Sequence, residues 1–165
     1  MRPLAAAESG LAYPLLLAVD PEVEPLPAWR ARIAGWLGPW PARAPQHDAT
    51  QHGAPQHGAM TLRSAAGVIV SLILYRRTPD ARLGSLLVVD LLRAIEPADG
   101  RHGLAATLRM AELTARAQGC GGILLRAEPG SGAWRHTSLG MRQLARTAGY
   151  ARVGEDWLAE LRPRA

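Results

Sequence analysis

A glycine-bearing turn between two apolar runs is the part of this chain whose residue types and spacing best suit binding chemistry. The first run, Leu86 to Ile95, is followed by EPADGRHGLA, by an amphipathic stretch that ends at Gly119, and by a second apolar run, Gly122 to Ala127. A strand, a turn and a helix in this order leave unbonded backbone N–H groups at the positive end of the helix. Because such donors bind phosphate, we predict a phosphate-bearing ligand at this turn.

Three carboxylates near these runs are candidates for a general base. Asp90 interrupts an otherwise apolar run, and a buried carboxylate needs either a partner or a raised pKa. Asp90 is therefore a candidate proton acceptor, with an ion pair to Arg76 or Arg93 as the alternative. Glu96 and Glu128 follow the ends of the two runs, where surface charges are equally typical.

The elements that must position these residues follow from periodicity and turn signals. Apolar residues at three- and four-residue steps predict helices, and alternating or continuous apolar runs predict strands. In chain order we predict a strand Leu11 to Val19, a helix Pro27 to Trp40, strands Met60 to Ser64, Val68 to Arg76 and Leu86 to Ile95, a helix through Leu104, Leu108, Ala111 and Ala115, a strand Gly122 to Ala127, a helix Ser138 to Ala148, and a hairpin of Tyr150 to Val153 with Trp157 to Leu161. This order predicts an α/β fold with a mixed, partly antiparallel central sheet flanked by helices.

A histidine repeat separates the N-terminal third from the rest. The motifs QHDAT, QHGAP and QHGAM recur at a five-residue step, which fits neither a helix nor a strand. They carry His47, His52 and His57, so a solvated loop and a metal-binding cluster are both open interpretations. We assign one domain to residues 1–165, with a variable strand and helix over 1–44, the repeat loop over 45–59 and the core over 60–165, and we assign no metal ligands.

Composition narrows the class of protein. With 165 residues and 48% hydrophobic content, the chain can form one soluble domain without disulfides. All nineteen basic residues are arginines spread along the chain, so the net charge of +5 indicates GC-rich coding rather than a nucleic-acid surface. Cys120 is the single cysteine, and no apolar run is long enough to span a membrane. We predict a cytoplasmic protein that binds neither nucleic acid nor membrane, and a homodimer is compatible with these features.

The stretch IEPADGRHGLAATL, Ile95 to Leu108, resembles the acetyl-CoA motif of the GCN5-related N-acetyltransferases. That motif begins with an apolar residue, any residue and a proline. Two further residues and the sequence R/Q-x-x-G-x-G/A follow, and a helix begins there. Pro97, Gly103 and Ala105 fall on the pattern, and the resemblance covers Met60 to Leu161. It implies this family's acyl-CoA fold. The positions that it implies for binding acetyl-CoA are Ile95, Gly100, Arg101, His102, Gly103, Leu104, Ala105 and Ala106.

The resemblance also implies a reaction in which an amine attacks the thioester directly. The central strand would part from its neighbour near Leu92 to Ile95 and expose backbone N–H groups to the pantetheine and the thioester carbonyl. We expect the backbone N–H of Ile95 to make that contact. The acetyl group would pass to an amine of a small molecule or a protein.

Three positions depart from the family pattern. Gly100 stands where the family usually has Arg or Gln, and Arg101 stands where it usually has Gly. Ala145 occupies the position of a tyrosine that usually donates a proton to the departing coenzyme A. Tyr150, Cys120 or water could replace that donor.

These observations predict an acetyl-CoA-dependent N-acetyltransferase with Asp90, Glu96 and Tyr150 as candidate catalytic residues. The alternative is a catalytically degenerate protein of the same fold that serves as a CoA-binding or regulatory module, which Gly100 and Ala145 favour. A metal-responsive protein that uses the histidine repeat is a third interpretation.

Overall fold

The computed structural model describes residues 1–20, 22–38, 57–95, 102–126 and 145–161. The elements are β1 (Arg2–Pro3), a 3₁₀ helix (Ala6–Ala12), α1 (Tyr13–Val19), α2 (Leu26–Leu37), β2 (His57–Arg63), β3 (Ile69–Asp80), β4 (Gly84–Ala94), α3 (His102–Ala117), β5 (Gly122–Leu125), β6 (Ala151–Val153) and β7 (Asp156–Glu160). None of the helices in these ranges has the length and apolar character that crossing a membrane requires.

The strands form one seven-stranded sheet in the order β1-β2-β3-β4-β5-β7-β6. Neighbouring strands are antiparallel except for β4 and β5, which α3 joins as a crossover connection. Such a parallel pair is the usual result of a strand, a helix and a strand in sequence. The predicted mixed sheet flanked by helices is confirmed.

Helices cover both faces of the sheet. On one face Leu104, Leu108 and Ala111 of α3 pack against apolar side chains of the central strands. On the other face Trp29 and Ile33 of α2 pack with residues of α1 and of β3. The strand β4 is therefore buried on both sides, as its continuous apolar run predicts.

Several boundaries follow the prediction closely. The turn at residues 65–67 joins β2 to β3, and α3 ends before Gly119, whose φ of +67° is the left-handed conformation that commonly terminates a helix. The terminal hairpin forms from β6 and β7. Of the predicted helix Ser138 to Ala148, the structure describes residues 145–148, of which 145–147 are helical, and the preceding part lies outside the described residues.

The predicted first strand, Leu11 to Val19, is wrong. This segment completes the 3₁₀ helix and forms α1, with Pro14 in the first turn, where a missing N–H group costs nothing. Leu15 and Leu16 are buried whereas Leu17 is 53% exposed, which is the pattern of a helix with one buried face. A short apolar run does not distinguish a strand from a helix by periodicity alone.

Two further predicted boundaries are corrected. The repeat loop does not extend to residue 59, because His57, Gly58 and Ala59 already pair with β3. The strand predicted to end at Arg76 continues through Asp80, which lies opposite Gly84, and the turn to β4 lies at residues 81–83. His47 and His52 lie outside the described residues, and within the described ranges no three His, Cys, Asp or Glu side chains are grouped to hold a metal ion.

Candidate functional site

The strand β4 has neighbours on both sides at its start and on one side at its end. β3 accompanies it from Gly84 to Ala94, whereas β5 pairs only with Leu86 to Val89. The last bond to that side runs from the backbone N–H of Arg126 to the carbonyl of Val89, at 3.1 Å. Beyond Val89, the described residues make no backbone–backbone hydrogen bond to β4 on the β5 side, although the side chain of Arg93 donates to the carbonyl of Leu92 at 3.0 Å. The described pairing of β4 with β5 thus ends three residues before Leu92, where the separation of the two strands is predicted to begin, and the residues that follow Arg126 lie outside the described residues.

Asp90 forms a bulge directly after Val89, the last residue of β4 that pairs with β5. Tyr75 of β3 lies opposite Val89 and Leu74 lies opposite Leu91, so Asp90 has no counterpart in β3. An extra residue of this kind bends a strand and shifts the alternation of its side chains. Val89 and Leu92 accordingly both face α3, although they are three residues apart.

The bulge determines which backbone N–H groups of β4 point towards β3 and which point to the β5 side. The N–H of Ile95 donates to the carbonyl of Val70 in the β3 segment, at 2.9 Å. The predicted contact between this N–H and a thioester is therefore wrong, because the group already bonds within the sheet. Since N–H groups alternate in direction along a strand, those of Leu92 and Ala94 point to the β5 side. These two residues replace Ile95 as the backbone donors at the gap.

A charged cluster surrounds the bulge. Arg76 donates from Nε to Oδ2 of Asp90 at 2.9 Å, and Arg126 donates from Nη1 to Oδ1 at 3.3 Å. Arg76 also donates to Thr78 at 3.1 Å. We call Arg76, Thr78, Asp90 and Arg126 the Asp90 cluster. It holds two guanidinium groups and one carboxylate, so its net charge is positive.

The Asp90 cluster lies on the face of the sheet that α1 and α2 cover. Leu72 and Leu74 pack with those helices, and Arg76 follows them at the next alternate position of β3. The ion-pair alternative for Asp90 is correct with respect to Arg76. Arg93 pairs instead with Asp20, which follows α1, at 3.6 Å.

His57 lies beside the cluster on the same face. It is opposite Arg76 in the register of β2 and β3, and its ring meets that of Trp36 edge-on with centroids 4.8 Å apart. Burial lowers the pKa of His57, the positive charge of Arg76 lowers it further, and Asp90 opposes the shift. Since a histidine ordinarily titrates near pH ~6.5, His57 is neutral at pH 7.

Two buried hydroxyl groups tie the start of α3 to the sheet. Thr107 donates to the carbonyl of Gly103 at 2.7 Å, and the hydroxyls of Ser71 and Thr107 are 2.5 Å apart. Because a hydroxyl has one proton to donate, Ser71 must donate to Thr107. This chain of bonds fixes the first turn of α3 against β3.

The predicted phosphate-binding residues are described in part. His102 to Ala106 begin α3, with Leu104 buried in the core and Ala105 and Ala106 exposed. The N–H groups that a helix leaves unbonded are those of its first residues, here His102 to Leu104, whereas the N–H of Ala106 donates to the carbonyl of His102 within the helix. The other predicted residues, Gly100 and Arg101, and the candidate bases Glu96 and Glu128 lie outside the described residues.

Tyr150 lies away from the Asp90 cluster. It immediately precedes the pair Ala151–Leu158, so it adjoins the row of Ala159, which pairs with Ile123. Ile123 pairs with Leu87, which is three residues before Asp90, or about 10 Å along the strand. The structure therefore does not bring Tyr150 and Asp90 together.

Tyr150 instead lines a cleft of about 860 Å³ between α3 and the terminal hairpin. Burial, and next to it the negative charge of Glu112, raises the pKa of Tyr150 well above its ordinary value, so the phenol stays protonated. Cys120 is buried after α3, and burial raises the pKa of its thiol. Their roles as proton donors remain predictions.

Comparisons with solved structures decide the fold. No protein-family model and no curated protein matches the sequence. A GCN5-related N-acetyltransferase from Kribbella flavida superposes with a TM-score of 0.62 at 14% identity, covering 97% of this chain and 96% of that chain. The chain has the fold of the GCN5-related N-acetyltransferases.

Two other structures with this acyltransferase fold match over nearly their whole length. An acetyltransferase of Trypanosoma brucei has a TM-score of 0.56 at 14% identity and covers 99% of this chain and 97% of its own. A chain of the NatC complex, solved with Gag peptide and CoA, has a TM-score of 0.58 at 16% identity, with coverage of 98% and 97%. At these identities the likeness concerns the fold, and the acyltransferase fold is what the sequence predicted.

Two residues of the site, Arg126 and Thr107, were not predicted from the sequence, and Leu92 and Ala94 were predicted only as part of the stretch Leu92 to Ile95. Leu92 and Ala94 follow from the bulge, which the apolar run does not reveal. Arg126 could have been found, because parallel pairing of the two apolar runs places the end of β5 beside Asp90. Thr107 is a polar residue on the apolar stripe of α3, and that signal was also present.

Proposed function

We propose that this protein transfers an acetyl group from acetyl-CoA to an amine. The observation that carries the proposal is that β4 continues to Ala94 beyond its described pairing with β5, which ends at Val89, in a chain with the acyltransferase fold. In this proposal the N–H groups of Leu92 and Ala94, which point away from β3, are open to a ligand, and the start of α3 offers N–H groups at its positive end. A ligand with a carbonyl at one end and phosphates at the other suits this pair of sites.

The residues of the site divide the work of binding. The first turn of α3, from His102 to Ala106, holds the pyrophosphate through backbone N–H groups. The N–H groups of Leu92 and Ala94 hold the pantetheine and the thioester carbonyl, whose oxygen gains negative charge during the reaction. Ser71 and Thr107 keep the helix start in register with β3. Positioning of the two reactants supplies most of the rate enhancement.

The reaction needs one bond made and one broken. The amine nitrogen bonds to the acetyl carbon, the carbon–sulfur bond breaks, and the proton of the amine passes to Asp90 through water. Coenzyme A leaves as a thiolate and takes a proton from solvent. Since an ordinary thiol has a pKa near ~8.5, this departure needs no dedicated acid at neutral pH. That suits a chain in which Ala145 is fully buried in the core.

A second candidate function uses the same site without transfer. Both oxygens of Asp90 accept hydrogen bonds from arginines, and the usual tyrosine is absent at Ala145. These two observations favour a module that binds acetyl-CoA as a signal. The two candidates share the ligand and differ in turnover.

Titration calorimetry with acetyl-CoA and an assay of thiol release with a panel of amines distinguish these possibilities. We expect saturable binding and release of coenzyme A that depends on the amine. Binding without release for any amine supports the module, and no binding of acetyl-CoA contradicts both candidates.

A pair of matched variants locates the binding site. Glutamates at the exposed positions 105 and 106, in the variant A105E/A106E, place negative charge beside the phosphates and weaken acetyl-CoA binding by at least about tenfold. Acidic residues stabilise the first turn of a helix, so loss of α3 does not explain that result. The neutral control A105Q/A106Q keeps its affinity. Equal affinities of the two variants would place the ligand elsewhere.

A further inference from the structure

We infer that the acceptor is a small amine that carries a carboxylate beside its amino group, as free amino acids do, and that Arg126 and Arg76 bind this carboxylate. The inference rests on the proposed transfer reaction and concerns the substrate class of the same site. It follows from the charge and the hydrogen-bonding capacity of the Asp90 cluster.

The Asp90 cluster carries one excess positive charge. Two guanidinium groups flank one carboxylate, and their side chains are only partly exposed, at 32% for Arg76, 18% for Asp90 and 50% for Arg126. A simple cationic amine would approach a net positive surface. A molecule with one carboxylate supplies the single negative charge that the cluster lacks.

The two arginines of the Asp90 cluster have more N–H donors than Asp90 and Thr78 accept. A guanidinium has five N–H groups in a planar fork that matches a carboxylate. Among the described residues, Arg126 donates only to Asp90, and Arg76 donates to Asp90 and Thr78. Both arginines therefore have donors left for a second carboxylate, and paired donors of this kind form the stronger hydrogen bonds of proteins.

Arg126 lies close to the backbone N–H groups that we assign to the thioester. Among the described residues, the backbone N–H of Arg126 makes the last bond between the β5 segment and β4, so Arg126 lies directly beside Val89 and Asp90. The N–H of Leu92, which we assign to the thioester region, is two residues beyond the bulge. A carboxylate held by Arg126 thus places an adjacent amino group near the gap.

The same charge explains how a weakly basic site can use an amine. Like charges nearby disfavour the protonated form of an amine, so a net positive cluster lowers the pKa of a bound ammonium group. The neutral amine is the nucleophile. Once it has lost its proton, the bound substrate has a single negative charge, and the cluster with its substrate is neutral.

The test compares L-amino acids with their carboxamides in the thiol-release assay, at saturating acetyl-CoA and with rates expressed per unprotonated amine. We expect the acids to have at least about tenfold higher kcat/KM than the amides. The variant R126Q lowers kcat/KM for the acids by about tenfold and brings the ratio of acid to amide close to one. R126K keeps the charge but not the fork, so it falls between the two.

A matched control is Arg82→Gln. Arg82 pairs with Glu160 on the exposed surface, at 2.7 Å, and it precedes β4 at the opposite end of that strand. This variant keeps the preference for acids. Equal use of acids and amides by the wild type, or a preference that survives R126Q, overturns the inference while transfer itself stands. Absence of transfer to either series, with acetyl-CoA bound, overturns the transfer proposal and this inference together.

Discussion

The two halves of β4 are alike in sequence and different in surroundings. The first half, Gly84 to Val89, has β3 and β5 as neighbours, and its side chains at Leu87 and Val89 are buried. The second half, Asp90 to Ala94, is equally rich in leucine, but it begins with a bulge and keeps only β3 among the described residues. The first half is enclosed between two strands, whereas the second half lies beside charged groups and has no strand on its other edge among the described residues. The strand partner, rather than the composition of the strand, makes the site.

Truncating the closed half gives the largest expected effect. Leu87 is fully buried against α3, so Leu87→Ala removes methyl groups and leaves a cavity. We expect the free energy of unfolding to fall by about 2–5 kcal/mol, measured by urea denaturation. The folded fraction should bind acetyl-CoA within about twofold of the wild-type affinity, because this half makes no ligand contact. Much weaker binding of acetyl-CoA by the folded variant would contradict the assignment of ligand binding to the second half of β4.

Removing the charge of Asp90 at the bulge gives the next largest effect, and this effect is on catalysis rather than on stability. Asp90→Asn keeps the shape of the side chain and removes the proton acceptor, so we expect kcat to fall by at least about a hundredfold. The dissociation constant for acetyl-CoA, measured by titration calorimetry, should change little, because Asp90 faces the acceptor side. Transfer at the wild-type rate would contradict the role of Asp90.

Loosening the start of α3 gives the smallest effect. Thr107→Val leaves the hydroxyl of Ser71 without its buried acceptor, which costs about 1–3 kcal/mol of unfolding free energy. Removing both hydroxyls, in S71A/T107V, should cost less than the sum of the single variants, since no buried donor is then left over. We expect both changes to raise the KM for acetyl-CoA more than they lower kcat. Additive losses in a double-mutant cycle would show that the two hydroxyls act separately.

Much of the fold could be predicted because its central elements are long and periodic. The apolar run of β4, the stripe through Leu104 and Leu108 and the stop at Gly119 each fix an element by a strong local pattern. The segment Leu11 to Val19 has no such pattern. Nine residues with Pro14 near their start fit either a bent strand or the first turns of a helix, and tertiary packing decides between them.

The site itself could be predicted only in outline. Asp90 and the start of α3 carry visible signals, because one is a charge in an apolar run and the other lies within a motif. The choice of Leu92 and Ala94 over Ile95 depends on a single extra residue in β4. Only the pairing of β4 with β3 reveals that residue. Arg126 likewise gains its place from the register between two strands distant in sequence.

Residue-resolved amide hydrogen exchange of β4, measured by NMR with and without saturating acetyl-CoA, distinguishes the two halves of the strand. In the first half, the N–H groups of Leu87 and Val89 bond within the sheet. In the second half, we propose that the N–H groups of Leu92 and Ala94 bind the ligand. We predict that exchange at Leu92 and Ala94 slows by at least about tenfold and that exchange at Leu87 and Val89 does not change. Unchanged exchange at Leu92 and Ala94 under saturation, or slowing confined to the cleft beside Tyr150, would contradict that proposal.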